Sequence, residues 1–297
     1  MKVIKKIKEK QKQFLVHPVT KGNESKALYR YVLFNVKNKI VKQIIYKWIE
    51  GLKFIARKGD AGIVGNIYFG LYEFEESIFL LHFIEKEDIF LDIGANIGHY
   101  SLLMSGVKKC KSIAVEPVPE TFKQLVNQVD LNNLGTLILP LNIGVSSSNG
   151  ELFFSTDKGT MNSIVNKDYG NSIKVKVSTI DDLSEHNMPI AIKIDVEGYE
   201  KFAFMGAQKT LANPLLKVII VELNESGIKH GIKDDEIYSE IVKFGFKPFS
   251  YDAINRKLTP LDSYNKHKFN TLFIRDIEYV NERVSSSKKI KIKNKLF

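Results

Sequence analysis

The chain of 297 residues is 44% hydrophobic and 26% charged, has one cysteine, Cys110, and carries a formal net charge of +10. These proportions belong to an ordinary globular protein and exclude a fibrous or disordered one. A lone cysteine excludes an internal disulfide framework, no apolar run reaches the ~20 residues that span a bilayer, and no apolar signal stretch opens the chain, so a cytoplasmic protein is expected.

The charge is unevenly divided. Residues 1–60 contain 16 basic and 4 acidic side chains, residues 283–297 contain 6 basic and no acidic ones, and residues 61–282 contain 22 basic against 30 acidic. Enzymes acting on nucleic acid place positive charge around the site itself, so an acidic middle with basic ends disfavours nucleic acid as a partner.

In chain order, residues 1–13 form a lysine-rich head with Val3, Ile4 and Ile7 on a short apolar stripe. Between Lys26 and Lys53, Tyr29, Val32, Val36, Ile40, Ile44, Trp48 and Leu52 recur at helical spacing, which predicts one basic amphipathic helix or a pair of them. Such a face either packs on the main domain as a cap or makes peripheral contact with anionic membrane or a lipid-linked glycan. Further on, apolar strands are predicted at 88–94, 112–117, 136–142, 190–196 and 217–223, alternating with helices at 98–106, 119–131, 199–211 and 234–244. A hairpin at 151–155 and 173–179 interrupts the series, and 246–252 with 270–276 supply closing strands. The fold class is α/β, a mostly parallel, doubly wound sheet with helices on both faces, which binds ligands at the carboxyl ends of its strands. The last residues, 283–297, are expected to be loosely ordered.

The stretch "FLDIGANIGHYS" (90–101) reads as strand, tight turn and helix start. Dinucleotide sites use G-x-G-x-x-G so that backbone amides meet a pyrophosphate. Here Asn96 replaces the second glycine, and Asp92 would repel a phosphate. The same carboxylate suits S-adenosylmethionine, which has no phosphate and carries a sulfonium and an ammonium. In this reading Asp92 lies near the methionine end, Gly94 and Gly98 let the backbone approach the cofactor, and Glu116, ending the next strand, accepts hydrogen bonds from both ribose hydroxyls. The competing structural reading is that Asp92 only caps the following helix.

"IKIDVEGYE" (192–200) puts Lys193, Asp195 and Glu197 on alternate positions, hence on one face if the segment is extended. Ionisable groups ending an apolar strand are costly unless paired, which marks a site. Glu222 and Asn224 end the next strand on the same rim, with His230 a nearby loop imidazole and His99 inside the first helix turn. His17, His82, His186 and His267 show no metal spacing; strand-end carboxylates could take a divalent ion, but nothing requires one.

With the glycine turn, "VEP", "STIDDL", "KIDVEGYE" and "IIVEL" in order, together with "GLYEFEES" upstream and "LNIGVSSSNGELFF" between, the sequence resembles the FkbM family of methyltransferases over roughly residues 62–250. The resemblance implies a class I, Rossmann-like methyltransferase that uses S-adenosylmethionine on oxygen, typically a sugar hydroxyl of a glycan, glycolipid or natural product. It implies that Asp92, Gly94, Asn96, Gly98 and Glu116 line the cofactor, that Glu73 approaches it from the preceding segment, and that Asn142 stands near adenine. Lys193, Asp195 and Glu197 would then be at the reacting centre, with Asp195 the base, Glu222 holding hydroxyls and His230 the alternative base. Residues 1–60 form an extension, 61–282 the methyltransferase domain and 283–297 the tail. The competing readings are an RNA ribose 2′-O-methyltransferase and a non-enzymatic membrane-surface scaffold.

Overall fold

The computed structural model describes residues 2–156, 164–165, 169–266 and 268–297. Two helices, α1 (Lys2–Val16) and α2 (Glu24–Lys37), lead into an antiparallel hairpin of β1 (Gln43–Lys47) and β2 (Lys53–Arg57), then α3 (Ala61–Phe69) and α4 (Phe74–Phe83). The wound part follows as β3 (Ile89–Ile93), α5 (His99–Leu103), β4 (Lys111–Val115), α6 (Pro119–Leu131) and β5 (Ile138–Leu141). A four-stranded side sheet holds β6 (Gly144–Val145), β7 (Gly150–Ser155), β8 (Ile164–Val165) and β9 (Ser172–Ser178). The chain returns through α7 (Ile180–Ser184), β10 (Ala191–Ile194), α8 (Glu200–Met205), α9 (Gln208–Ala212), β11 (Val218–Glu222) and α10 (Asp234–Val242). It closes with β12 (Lys247–Asp252), β13 (Lys257–Pro260), β14 (Asn270–Ile274), α11 (Ile277–Ser286) and a small hairpin, β15 (Lys291–Ile292) and β16 (Lys295–Leu296).

The main sheet has the order β13-β12-β14-β11-β10-β3-β4-β5. The run from β11 to β5 is parallel, and β14 enters antiparallel between β11 and β12. This is a doubly wound, Rossmann-like arrangement. The chain moves outward from β3 through β4 to β5, then returns to β10 on the other side of β3. Helices above and below therefore part at the carboxyl ends of β3 and β10, and a crevice opens there. The central strands read as almost unbroken apolar runs because both faces are covered: Phe90, Ala191, Val218 and Ile220 pack with α4 and α5, while Leu91, Ile192, Ile194 and Ile219 pack with α8, α9 and α10.

Two segments depart from the sequence reading. The helix expected to run to Lys53 ends at Lys37, and Gln43 to Arg57 form the β1–β2 hairpin. Ile44, Tyr46 and Trp48 face inward with Ile45 outward, so a period of two serves this stretch as well as a period of 3.6. The turn is made at Glu50 and Gly51, whose φ values are 49° and 83°. The tail also folds. Ile290 and Phe297 exchange backbone hydrogen bonds of 2.9 and 3.1 Å, Ile292 is buried, and the Phe297 ring lies 4.9 Å from that of Phe74. Alternating lysines and apolar residues in "KKIKIKNKLF" carry that pattern, which net charge alone conceals. The N-terminal segment is built into the same body: Phe14, Ala27, Phe34 and Phe54 share one buried cluster with Ala95, Ile97 and Leu125.

Candidate active site

The glycine turn joins β3 to α5. Gly94 has φ 76°, and a Cβ built there would lie 1.8 Å from the carbonyl oxygen of Asp195. Its missing side chain therefore admits the backbone of the neighbouring strand end, a role the sequence reading had given to cofactor approach. Gly98, at φ 93°, packs in the same way on Leu125. Asn96 takes the left-handed conformation at φ 50°, which asparagine tolerates better than most residues. Its N–H donates to Glu116 at 3.0 Å, and its buried Oδ1 has no partner among the described residues.

Two adjoining spaces meet at Gly94, Asn96 and Asp195. The first is a cleft walled by Val115, Glu116, Val118, Gly144, Phe154 and Tyr199, with Glu197 at its edge. Among the described residues the cleft is lined by three carboxylates, Glu116, Asp195 and Glu197, and by no lysine or arginine. The second space is a chamber lined by Tyr72, Glu73, Asp92, His99, Tyr100 and Lys193. Because β3, β10 and β11 run parallel, Asp92, Lys193 and Glu222 leave one face of the sheet at neighbouring positions, and Asp195 follows two residues after Lys193.

Lys193 is fully buried, with Nζ 3.4 Å from Asp195 Oδ2 and 5.7 Å from the Tyr100 ring centre. Burial alone would lower its pKa, but Asp195, Glu73, Glu222 and Asp92 together raise it above the ordinary lysine value. Glu222 is pushed well above the usual carboxylate range by burial and by the charge of Asp195, to which it hydrogen-bonds. Glu73, at φ 49°, accepts from Tyr100 Oη at 2.6 Å and is also raised, first by burial. Glu73, Asn96 and Glu197 all adopt a left-handed backbone around the crevice, and strain of this kind is held where surrounding structure enforces a site.

Other expected residues are placed differently. Asp92 accepts from Ser101 N at 3.0 Å and Ser101 Oγ at 2.5 Å, so it ties down the start of α5 while lining the chamber. Glu116 accepts from both Asn96 N and Val118 N. Asn142 Nδ2 donates to the carbonyls of Glu116 and Pro117, and the cleft wall near it is made by Val145 and Phe154. Glu197 leaves the extended face because β10 ends at Ile194 and its own φ is 53°; it borders the cleft instead of the chamber. His230 packs edge-on against Tyr199 at 5.7 Å and lines neither space. His267 lies outside the described residues, and among those described no cluster of three His, Cys, Asp or Glu could hold a metal. Two participants escaped the sequence reading. Tyr100 bonds Glu73, and Glu200 accepts from Val196 N and Gly198 N, each at 3.2 Å, fixing the loop after β10.

Residues 92–248, more than half of the chain, match the methyltransferase FkbM domain. The chain belongs to that family. It is 32% identical over 148 residues to the hexuronic acid methyltransferase AglP of Haloferax volcanii, an alignment covering 49% of this chain and 59% of that protein. It spans, then, less than two thirds of that relative's length. Solved structures similar to it include the M. jannaschii tRNA m1G37 methyltransferase, at 14% identity over 80% of this chain and 58% of that one with a TM-score of 0.40. Another is M. jannaschii TYW2 in complex with AdoMet, at 13% identity, 79% and 87% coverage and a TM-score of 0.39.

This family member concentrates buried acids at one rim. Burial, only partly offset by N–H donors, raises Asp92 to about 6 and both Glu116 and Glu200 to about 7. Each binds its proton more tightly folded than unfolded, so the stability it contributes is complete below the unfolded values near 4 and fades as pH climbs towards 7. The thermal midpoint is therefore expected to fall between mildly acidic and neutral buffer, by several degrees in a melt followed by circular dichroism. A midpoint that rises over that interval would contradict the assignment.

Proposed function

We propose that the chain is an S-adenosylmethionine-dependent O-methyltransferase whose acceptor is an uncharged sugar hydroxyl of a glycan, glycolipid or natural product. The observation that carries this reading is the charge of the two joined spaces. A cleft whose described lining holds three carboxylates and no lysine or arginine repels a pyrophosphate and attracts a cationic ligand. Asn96 Oδ1, buried and unpartnered among the described residues, offers a further acceptor where cleft and chamber meet. The residues present therefore fit the cofactor: Glu116 would hold the ribose, the Val115–Val118 segment and Phe154 would enclose the base, and Asp92 with Asn96 would face the methionine end. The cofactor supplies a methyl group on a sulfonium.

Everything else falls to the chain. Displacement at carbon needs the acceptor oxygen aligned within near-attack distance, which a chamber walled by Tyr72, Tyr100 and Glu73 can enforce. A sugar hydroxyl attacks poorly until its proton leaves, and Asp195 stands at the junction to receive it. Lys193 neutralises the negative charge that collects there, while Glu222 hydrogen-bonds Asp195 and helps hold it in place. A carboxylate acceptor would need no base and would enter against Glu73, Asp92 and Asp195, with Lys193 the only lysine or arginine among the described residues of the chamber wall. A hexuronic acid carries both kinds of oxygen, so the acceptor group is open to test within one sugar. Incubation with isotopically labelled cofactor and a panel of uronic-acid and neutral glycans should give an alkali-stable methyl ether. An alkali-labile ester would overturn the hydroxyl reading, and methylated RNA would overturn the sugar.

A further inference from the structure

Tyr29, Val32 and Val36 line one face of α2 and are 66%, 41% and 51% exposed, whereas Ala27 and Phe34 on the opposite face are buried. The stripe continues along the chain into the turn after α2, where Ile40 is 84% exposed and Val41 48%, and then to Ile45 of β1. Of fifteen exposed large apolar side chains among the described residues, eight fall between Leu15 and Ile45. Scattered single apolar residues are normal on a surface; a concentration of this kind marks an interaction site. Lys26, Lys37, Lys39, Lys42 and Lys47 are exposed along the same segment, and no carboxylate occurs between Ser25 and Ile49.

We propose that this face docks on an anionic bilayer surface, with α2 lying in the interfacial plane, its apolar stripe at the headgroup boundary and its lysines on the lipid phosphates. An apolar face bordered only by lysines is the composition of an interfacial helix. The cations are attracted by the surface potential of anionic lipid. A second copy of the chain fits worse, because pairing two such faces sets lysine against lysine with no acid between them. The mode is lateral: no helix among the described residues is long and apolar enough to cross a membrane.

The test uses the full chain in co-sedimentation with vesicles of phosphatidylcholine alone and of phosphatidylcholine doped with phosphatidylglycerol. The wild type is expected to sediment only with the doped vesicles and to be released by salt. Two variants are compared, Val36→Asp with Ile40→Asp, and Lys37→Glu with Lys39→Glu and Lys42→Glu. All five positions are exposed, so thermal midpoints should be unchanged, while each variant should bind at least about tenfold more weakly. The proposal is overturned if the wild type ignores doped vesicles, or if either variant binds as the wild type does. It is equally overturned if the wild type is a dimer that the aspartate variant splits while vesicles are ignored.

Discussion

Asp195→Asn is expected to lower turnover by about 10²–10⁴-fold, the usual share of a positioned base, while cofactor affinity measured by calorimetry stays within a few-fold. The separation follows from how Asp195 is held. Its backbone N–H donates to Ile93 O at 3.0 Å, and its carbonyl fills the space left by Gly94, so the turn is shaped by main chain and not by the carboxylate. An amide can still accept from Lys193 and from Glu222, which leaves the neighbours paired. What it cannot do is take the acceptor proton. Loss of cofactor binding with normal turnover at saturation would contradict the assignment. So would a variant active enough to make Glu73 the better base.

The parts of this molecule that could be read from sequence are those in which local pattern and tertiary role coincide. The five parallel strands are apolar on both faces and bounded by turns, so "IFLDI" or "KVIIVE" has one plausible reading. The α6 boundary came out at the residue because Pro119 suits a first helical turn, where its missing N–H costs nothing. The N-terminal hairpin was hidden because Ile44, Trp48 and Leu52 satisfy both periods, and only the turn at Glu50–Gly51 decides between them. In the site, residue types were legible and partners were not. That Glu222 would hydrogen-bond Asp195 depends on β10 and β11 lying side by side, which no local pattern states. No local pattern marks Tyr100: Glu73, just before α4, reaches its hydroxyl through a left-handed backbone that glutamate seldom adopts.

Lys193→Met is expected to be the most damaging single change to stability, at about 3–5 kcal/mol near neutral pH, the usual cost of removing one partner from a buried ion pair. Lys193 is the cation that Asp195, Glu73, Glu222 and Asp92 face in common, and it is fully enclosed, so water cannot replace it. In the wild type its own raised pKa contributes stability that is complete below the unfolded lysine value of 10.5 and is lost only as pH rises beyond it. The variant should behave differently within the working range. Without the ammonium, Asp92 and Glu222, already raised by burial, rise further, and each holds its proton more tightly folded than unfolded. Stability then falls as pH increases, because the native state binds the more protons. The gap between variant and wild type should consequently be small below about pH 3, where these carboxyls are protonated in both states, and widen steadily towards neutrality. Paired urea titrations across that interval measure it directly. A gap that stays constant with pH would mean that Lys193 contributes packing of its stem and not charge, and a gap that narrows towards neutrality would show that the chamber's acids are not ionised against it.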